Sequence, residues 1–171
     1  MLHSSSPVFA AASDRFRVQL RNAKISESEE LSEIAREAKS YWGYSASDLA
    51  KWEAELQISE SSIAEQLTFA VQMGCDLAGL FQLKSDENEI DLEHFWVKPS
   101  FIGKGVGKTM LQHALQIASS LGASEIHIDA DPNAEGFYTS RGAVRVAEVL
   151  APIASQPTRV RPQMVLRTNA T

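Results

Sequence analysis

The sequence predicts a single α/β domain built on a mixed sheet, and three observations predict it. Segments of alternating polarity and segments of helical spacing follow one another in the order β-α-α-β-β-β-α-β-α-β-β. The 171 residues suffice for one substantial core rather than two. Near the centre, a strand stopped by proline runs through a glycine-rich loop into a long amphipathic helix, "WVKPSFIGKGVGKTML".

"RFRVQLRNA" sets Phe16, Val18 and Leu20 against charges, the pattern of a half-buried strand. "SESEELSEIAREAKSYW" opens with Ser/Glu start signals and places Leu31, Ile34, Ala35 and Ala38 on one helical face. After "GY", "SASDLAKWEAEL" predicts a second helix whose inner stripe is Leu49, Trp52 and Leu56. "QLTFAVQ" and "LAGLFQLK", joined at "MGCD", read as a hairpin, and "EIDLEHFWVKP" as a longer strand ended by Pro99. A helix from Val106 closes at Gly122. "EIHIDAD" reads as a strand, "NAEGFYTSRGA" as a short helix, and "VRVAEVLAP" and "QMVLR" as terminal strands. Residues 1–14, rich in Ser, Ala and Pro and without a basic n-region, read as a flexible leader rather than a signal peptide, and residues 15–168 as the domain.

A net charge of −6 argues against a nucleic-acid binder. No apolar run approaches the ~20 residues of a membrane helix, so no membrane partner is expected. Cys75 is the only cysteine, which excludes an internal disulfide and suggests a reducing, cytoplasmic setting; a small buried thiol is expected of it. No metal-ligand pattern stands out.

"GKGVGKT" at 103–109 resembles the end of a P-loop. That motif needs its first glycine at position 102, where Ile102 stands, and the acidic strand before it suits a buried parallel sheet badly. The other reading needs only backbone: N–H groups of residues 103–108 opening a helix form an anion site, with Gly103, Gly105 and Gly107 allowing close approach.

On "WVKPSFIGKGVGKTML", with Val97, Pro99, Gly105 and Gly107 in register, and on "DPNAEGFYTSRGA" about thirty residues later, the chain resembles the GNAT superfamily of acyl-CoA-dependent N-acetyltransferases. Two departures are visible: Ile102 replaces the usual Gln/Arg, and Ala143 replaces a final Phe. The resemblance spans residues 15 to 168 and implies a mostly antiparallel sheet with splayed central strands, flanked by helices, and acetyl-CoA as co-substrate.

The resemblance further implies that the main chain of Phe95 and Val97 binds the pantetheine arm. Val97 N–H would polarise the thioester carbonyl, and the loop from Ile102 through Gly103, Lys104, Gly105, Val106, Gly107 and Lys108 would hold the pyrophosphate. Tyr138 matches the family's general acid. Asn133 would bind the cofactor arm or cap the helix of Tyr138, and Ala134 would allow close approach. Strand alternation puts Asp91, Glu93, Phe95 and Val97 on one face and Leu92, His94 and Trp96 on the other. Glu93, with Asp91 behind it, is therefore the expected general base, ahead of His94. Core packing is expected of Trp42, whereas Tyr44 lines the acceptor pocket or packs the helix junction. Arg159 and Arg161 meet an acceptor carboxylate or sit in solvent. The expected reaction is direct acetyl transfer to a small-molecule amine, with a homodimer a further expectation. The rivals are transfer to a protein N-terminus or lysine, and an acyl-CoA-binding module without turnover.

Overall fold

The computed structural model describes residues 17–87 and 89–168. The leader 1–14 and Phe16 lie outside the described residues. Seven strands form one sheet in the order β1-β2-β3-β4-β5-β7-β6. They are β1 (Val18–Asn22), β2 (Leu67–Met73), β3 (Asp76–Asp86), β4 (Glu89–Val97), β5 (Glu125–Asp129), β6 (Val144–Leu150) and β7 (Val160–Arg167). All neighbours pair antiparallel except β4 and β5, which are parallel and share the single register pair Asp91↔His127. Beyond that pair the two strands diverge, so the rest of β4 has one free edge.

The helices divide between the two sheet faces. α1 (Ser28–Ser40) buries Leu31 and Ile34 with Ile58, Ile63, Ala70 and Leu80. α5 (Val106–Ser120) buries Met110, Leu111, Ala114 and Ala118 against Phe81, Leu83 and Ile126 on the other face. Both stripes recur at three- and four-residue spacing, which is how a helix presents one side to a sheet.

The second helix departs from expectation. It breaks at Trp52 into α2 (Ala46–Lys51) and α3 (Glu53–Leu56), and Leu56 is the buried member of its stripe. An unanticipated α4 (Glu60–Glu65) follows, capped by Ser59, whose side chain accepts from Ser62 N–H. Cys75 is exposed at the β2–β3 turn, not buried. That turn needs Gly74 at φ +65° and lies outside both cores.

β4 carries a bulge that re-phases it. Gln82 pairs with His94 and Leu83 with Leu92, leaving Glu93 as an extra residue. Ile90 and Leu92 therefore share the α5 face with Phe95 and Val97, while Trp96 packs on the α1 side. Asp91 falls on the side of His94 and Trp96. The expected grouping of Asp91 with Phe95 and Val97 is thus incorrect: one inserted residue reverses the alternation.

Candidate active site

Two cavities meet at the gap between β4 and β5. The first, about 470 Å³, is walled by Phe95 and Val97 of β4, by the loop before α5, and by α6 (Glu135–Ser140) with Tyr138. The second, about 460 Å³, lies on the α1 side between Lys39, Trp52, His94, Trp96, His127 and Arg161. Leu92, Glu93, Trp96, Ile128, Asp129 and Asp131 line both.

The first cavity is built mainly of backbone. Lys98 N–H donates to Ala78 O at 2.8 Å, so strand alternation turns the N–H groups of Val97 and Phe95 away from β3, into the gap. Gly79 makes that register possible: a Cβ there would stand 2.5 Å from Trp96 O. After Pro99–Phe101, a 3₁₀ turn, the chain reaches α5 through Gly103 (φ +79°) and Gly105 (φ +80°). Side chains rarely adopt that conformation. Gly107 serves differently: it is helical, and its Cβ would meet the Phe137 ring at 3.4 Å and Val97 Cγ2 at 3.7 Å.

The N–H groups of Gly103, Gly105, Val106, Gly107 and Lys108 have no acceptor among the described residues. Open donors at a helix N-terminus, backed by the helix dipole, suit a pyrophosphate. Ile102 is 43% exposed at this loop and lines the first cavity. Lys104 differs from its neighbours: its N–H is spent on Phe101 O, and its ammonium lies over the Phe101 ring, 5.2 Å from the centroid.

Tyr138 is 5% exposed and packs against Phe95 and Phe137, with ring centroids at 5.9 and 5.3 Å. Burial, and then the charge of Asp131, push its phenol well above the usual value. Its proton is therefore held throughout the neutral range.

The second cavity is built of side chains. Five carboxylates (Glu55, Asp91, Glu93, Asp129 and Asp131) face two cations, Lys39 and Arg161. Asp129 pairs with Arg161 at 3.1 Å. Glu55, Asp91 and Glu93 have no ion-pair partner among the described residues. His94 accepts at Nδ1 from Trp96 Nε1–H at 3.1 Å, which leaves its proton on Nε2. Burial pushes it down to about 4, so it is a neutral imidazole at neutral pH.

Asp131 is the hub between the cavities. It accepts from Lys39 Nζ at 2.5 Å, from the Tyr44 hydroxyl at 2.9 Å and from Asn133 N–H at 2.9 Å, and Arg159 stands 3.5 Å away. Burial alone would raise its carboxyl, but Lys39 and these donors hold it below the ordinary carboxylate range. Burial, with Arg159 nearby, pulls Lys39 down from its usual value against the attraction of Asp131. Trp52 and Tyr44, edge-on to each other with centroids 4.9 Å apart, both face the cations: Lys39 Nζ lies 4.3 Å from the Trp52 ring centroid and 4.9 Å from that of Tyr44.

Several expectations change here. Asn133 neither caps α6 nor lines the cofactor groove, since its Nδ2 donates to Tyr44 Oη and Asp131 Oδ1. The α6 N-cap is Ala134, and Asp131 caps the preceding 3₁₀ turn. Arg159 is buried on Asp131 and Ala151 O, and Arg161 is paired with Asp129; neither lies free in solvent. Trp42 is 39% exposed and stacks edge-on with Tyr41 at the groove mouth rather than in the core. Tyr44 takes part in the hub. Lys39 and Asp131 had escaped sequence reading. The available signals were Lys39 at i+7 from Ser32 on the inner helix face, and Asp131 as the Asp-Pro opening a turn.

A family model described as "Acetyltransferase (GNAT) domain" matches residues 29–150. The fold is similar to a GCN5-related N-acetyltransferase from Rhodopseudomonas palustris (TM-score 0.71, 22% identity, covering 87% of this chain and 94% of that one). It is similar to a PaiA N-acetyltransferase from Thermoplasma acidophilum in complex with coenzyme A (0.70, 23%, 88% and 99%). It is also similar to the ribosomal-protein-S18-alanine N-acetyltransferase from Escherichia coli (0.68, 15%, 89% and 94%). No curated protein matches the sequence. With the splayed β4–β5 gap, the open donors before α5 and a family model over most of its length, the chain belongs to the GNAT acetyltransferases, acyltransferases that use acetyl-CoA as co-substrate.

Proposed function

We propose that the protein acetylates the amine of a small cationic molecule bound in the cavity on the α1 side. The observation that carries this reading is the cavity itself. It holds about 460 Å³, room for a small molecule, and its carboxylates outnumber its cations. Such a lining favours an ammonium-bearing acceptor over an anion.

Acetyl-CoA supplies the thioester-activated acetyl group. Gly103, Gly105, Val106, Gly107 and Lys108 offer main-chain donors to its pyrophosphate, and the free edge at Phe95 and Val97 pairs with its amide arm. Val97 N–H donates to the carbonyl oxygen as charge gathers there. Glu93, exposed in the bulge and facing both cavities, takes the proton released as the amine nitrogen bonds to the carbonyl carbon. Asp91 on the acceptor wall helps to hold the ammonium before that proton leaves. Tyr138 donates its phenol hydrogen to the sulfur as the C–S bond breaks. Asn133 acts through the hub rather than on the cofactor, and Lys104 adds charge near the loop.

The setting is cytoplasmic in this proposal; no helix among the described residues is long and apolar enough to cross a membrane. A homodimer through β6 belongs to the same reading. β6 is an edge strand on which Val144, Val146 and Leu150 are 62%, 63% and 68% exposed.

The test combines a thermal shift with an amine panel that follows release of free CoA. Acetyl-CoA is expected to raise Tm where ATP with magnesium does not, and cationic amines are expected to turn over. Acetylation of peptides but of no small amine would transfer the assignment to a protein acceptor. CoA binding without turnover on either would make the chain a binding module.

A further inference from the structure

We propose that Asp131 is a positioning residue for acetyl transfer, tying the loops around the acceptor cavity to the turn that carries Tyr138. Two regions far from it in sequence, residues 39–44 and the loop holding Arg159, converge on its carboxylate together with its own turn. Lys39 comes from the end of α1 and Tyr44 from the α1–α2 loop; Asn133 opens the turn into α6, and Arg159 lies in the β6–β7 loop. The contacts within the hub are mutual. Tyr44 Oη accepts from Asn133 Nδ2 at 3.0 Å and from Arg159 Nη2 at 3.3 Å while donating to Asp131. The partners are enclosed, with side chains of Lys39, Asp131 and Arg159 only 11%, 8% and 3% exposed.

Two features make this more than a structural pin. Asp131 lines both cavities and stands seven residues before Tyr138, joined to it only by a capped 3₁₀ turn and the first part of α6. A shift of the acceptor-side loops is therefore passed through this carboxylate to the phenol. Moreover, two cations on one enclosed carboxylate are a costly way to hold loops together, since desolvation opposes the pairing and apolar contacts would serve as well. What the charged arrangement adds is a common anchor: Lys39, Tyr44 and Asn133 all donate to the one carboxylate, with Arg159 beside it, so the loops are held relative to a single point.

The proposal rests on the acetyltransferase reading, and its experiment keeps the two failures apart. Asp131→Asn preserves shape and removes the charge. With the best amine of the panel as probe, kcat is expected to fall at least tenfold and the amine KM to rise several-fold, with acetyl-CoA KM within about threefold. Hydrogen exchange is expected to quicken together in residues 41–45, 131–138 and 151–159. Tyr44→Phe deletes one hydroxyl and guards against a folding failure of the first variant; it is expected to show the same pattern in weaker form. Adding Lys39→Met to Asp131→Asn is expected to cost less than the two effects multiplied, as for groups acting as one unit.

A loss of kcat that merely tracks the folded fraction, with both KM values unchanged, would overturn the proposal. So would quickened exchange confined to 131–134. If no amine in the panel reacts with the wild-type protein, the acceptor reading fails, and the exchange pattern still decides the role of Asp131.

Discussion

The cofactor groove and the acceptor cavity share a wall and are made of different materials. The groove depends on main chain: two αL glycines, open N–H groups at α5 and the free edge of β4. Backbone is indifferent to most side-chain changes, so such a site is specified by a few glycines and a proline close together in sequence. The cavity depends on side chains, and its hub joins Lys39 to Asp131 and Tyr44 to Arg159 across 92 and 115 residues. One half of the site can therefore stay constant while the other changes its chemistry, because they fail under different substitutions.

The sharpest attempt to break that division is Tyr138→Phe. The ring stays packed and only the proton donor goes, so kcat should drop by about 10²- to 10⁴-fold, roughly 3–5 kcal/mol of barrier, while the acetyl-CoA-induced rise in Tm persists. Unchanged turnover across the pH range would remove Tyr138 from the chemistry.

Acid probes the side-chain half next. His94 stays neutral in the fold down to about 4, whereas in the unfolded chain it takes a proton near pH 6.5. The unfolded state then binds more protons between those values. Stability is thus full above pH 6.5, falls as pH drops towards 4, and levels off for this group below it, a loss of at most about 3 kcal/mol. Urea titrations at several pH values should show the slope, and His94→Gln should flatten it.

On the backbone half, Gly105→Val forces a β-branched residue into φ +80°. A cost of about 1–3 kcal/mol is expected, shared between folding and the loop's donor geometry. It should appear as roughly tenfold weaker CoA binding by calorimetry, with selectivity among amines unchanged. The smallest effect is expected on the side-chain half: Asp91→Asn should raise the KM of a cationic amine by a few-fold, about 1 kcal/mol, and leave CoA affinity alone.

Much of the fold was legible because it is local. The α1 and α5 stripes, the loop glycines and the sequence of strands along the chain follow from spacing within a few residues. α4 went unread because its six residues are too few for helical periodicity to show. What stayed hidden is what partners decide. Arg159 looks like a surface arginine until Asp131 is placed beside it, and Trp42 looks like core until its loop is seen to open on the groove. The phase of β4 stayed hidden for another reason: a bulge is set by pairing with β3, and nothing in "EIDLEHFWV" announces it.

That bulge lets β4 hold Glu93 without disturbing the ladder on either side. The half from His94 to Val97 is bound by the register that Gly79 permits, and its inward side belongs to the cofactor. The half from Glu89 to Leu92 keeps its own pairs, Leu92 with Leu83 and Asp91 with Lys84, so deleting Glu93 would bring Leu92 next to His94 in ordinary alternation, with every other side chain on its present face. The extra residue thus sets a carboxylate between the two cavities at a point where its presence or absence changes the chemistry of the shared wall and leaves the faces of β4 as they are.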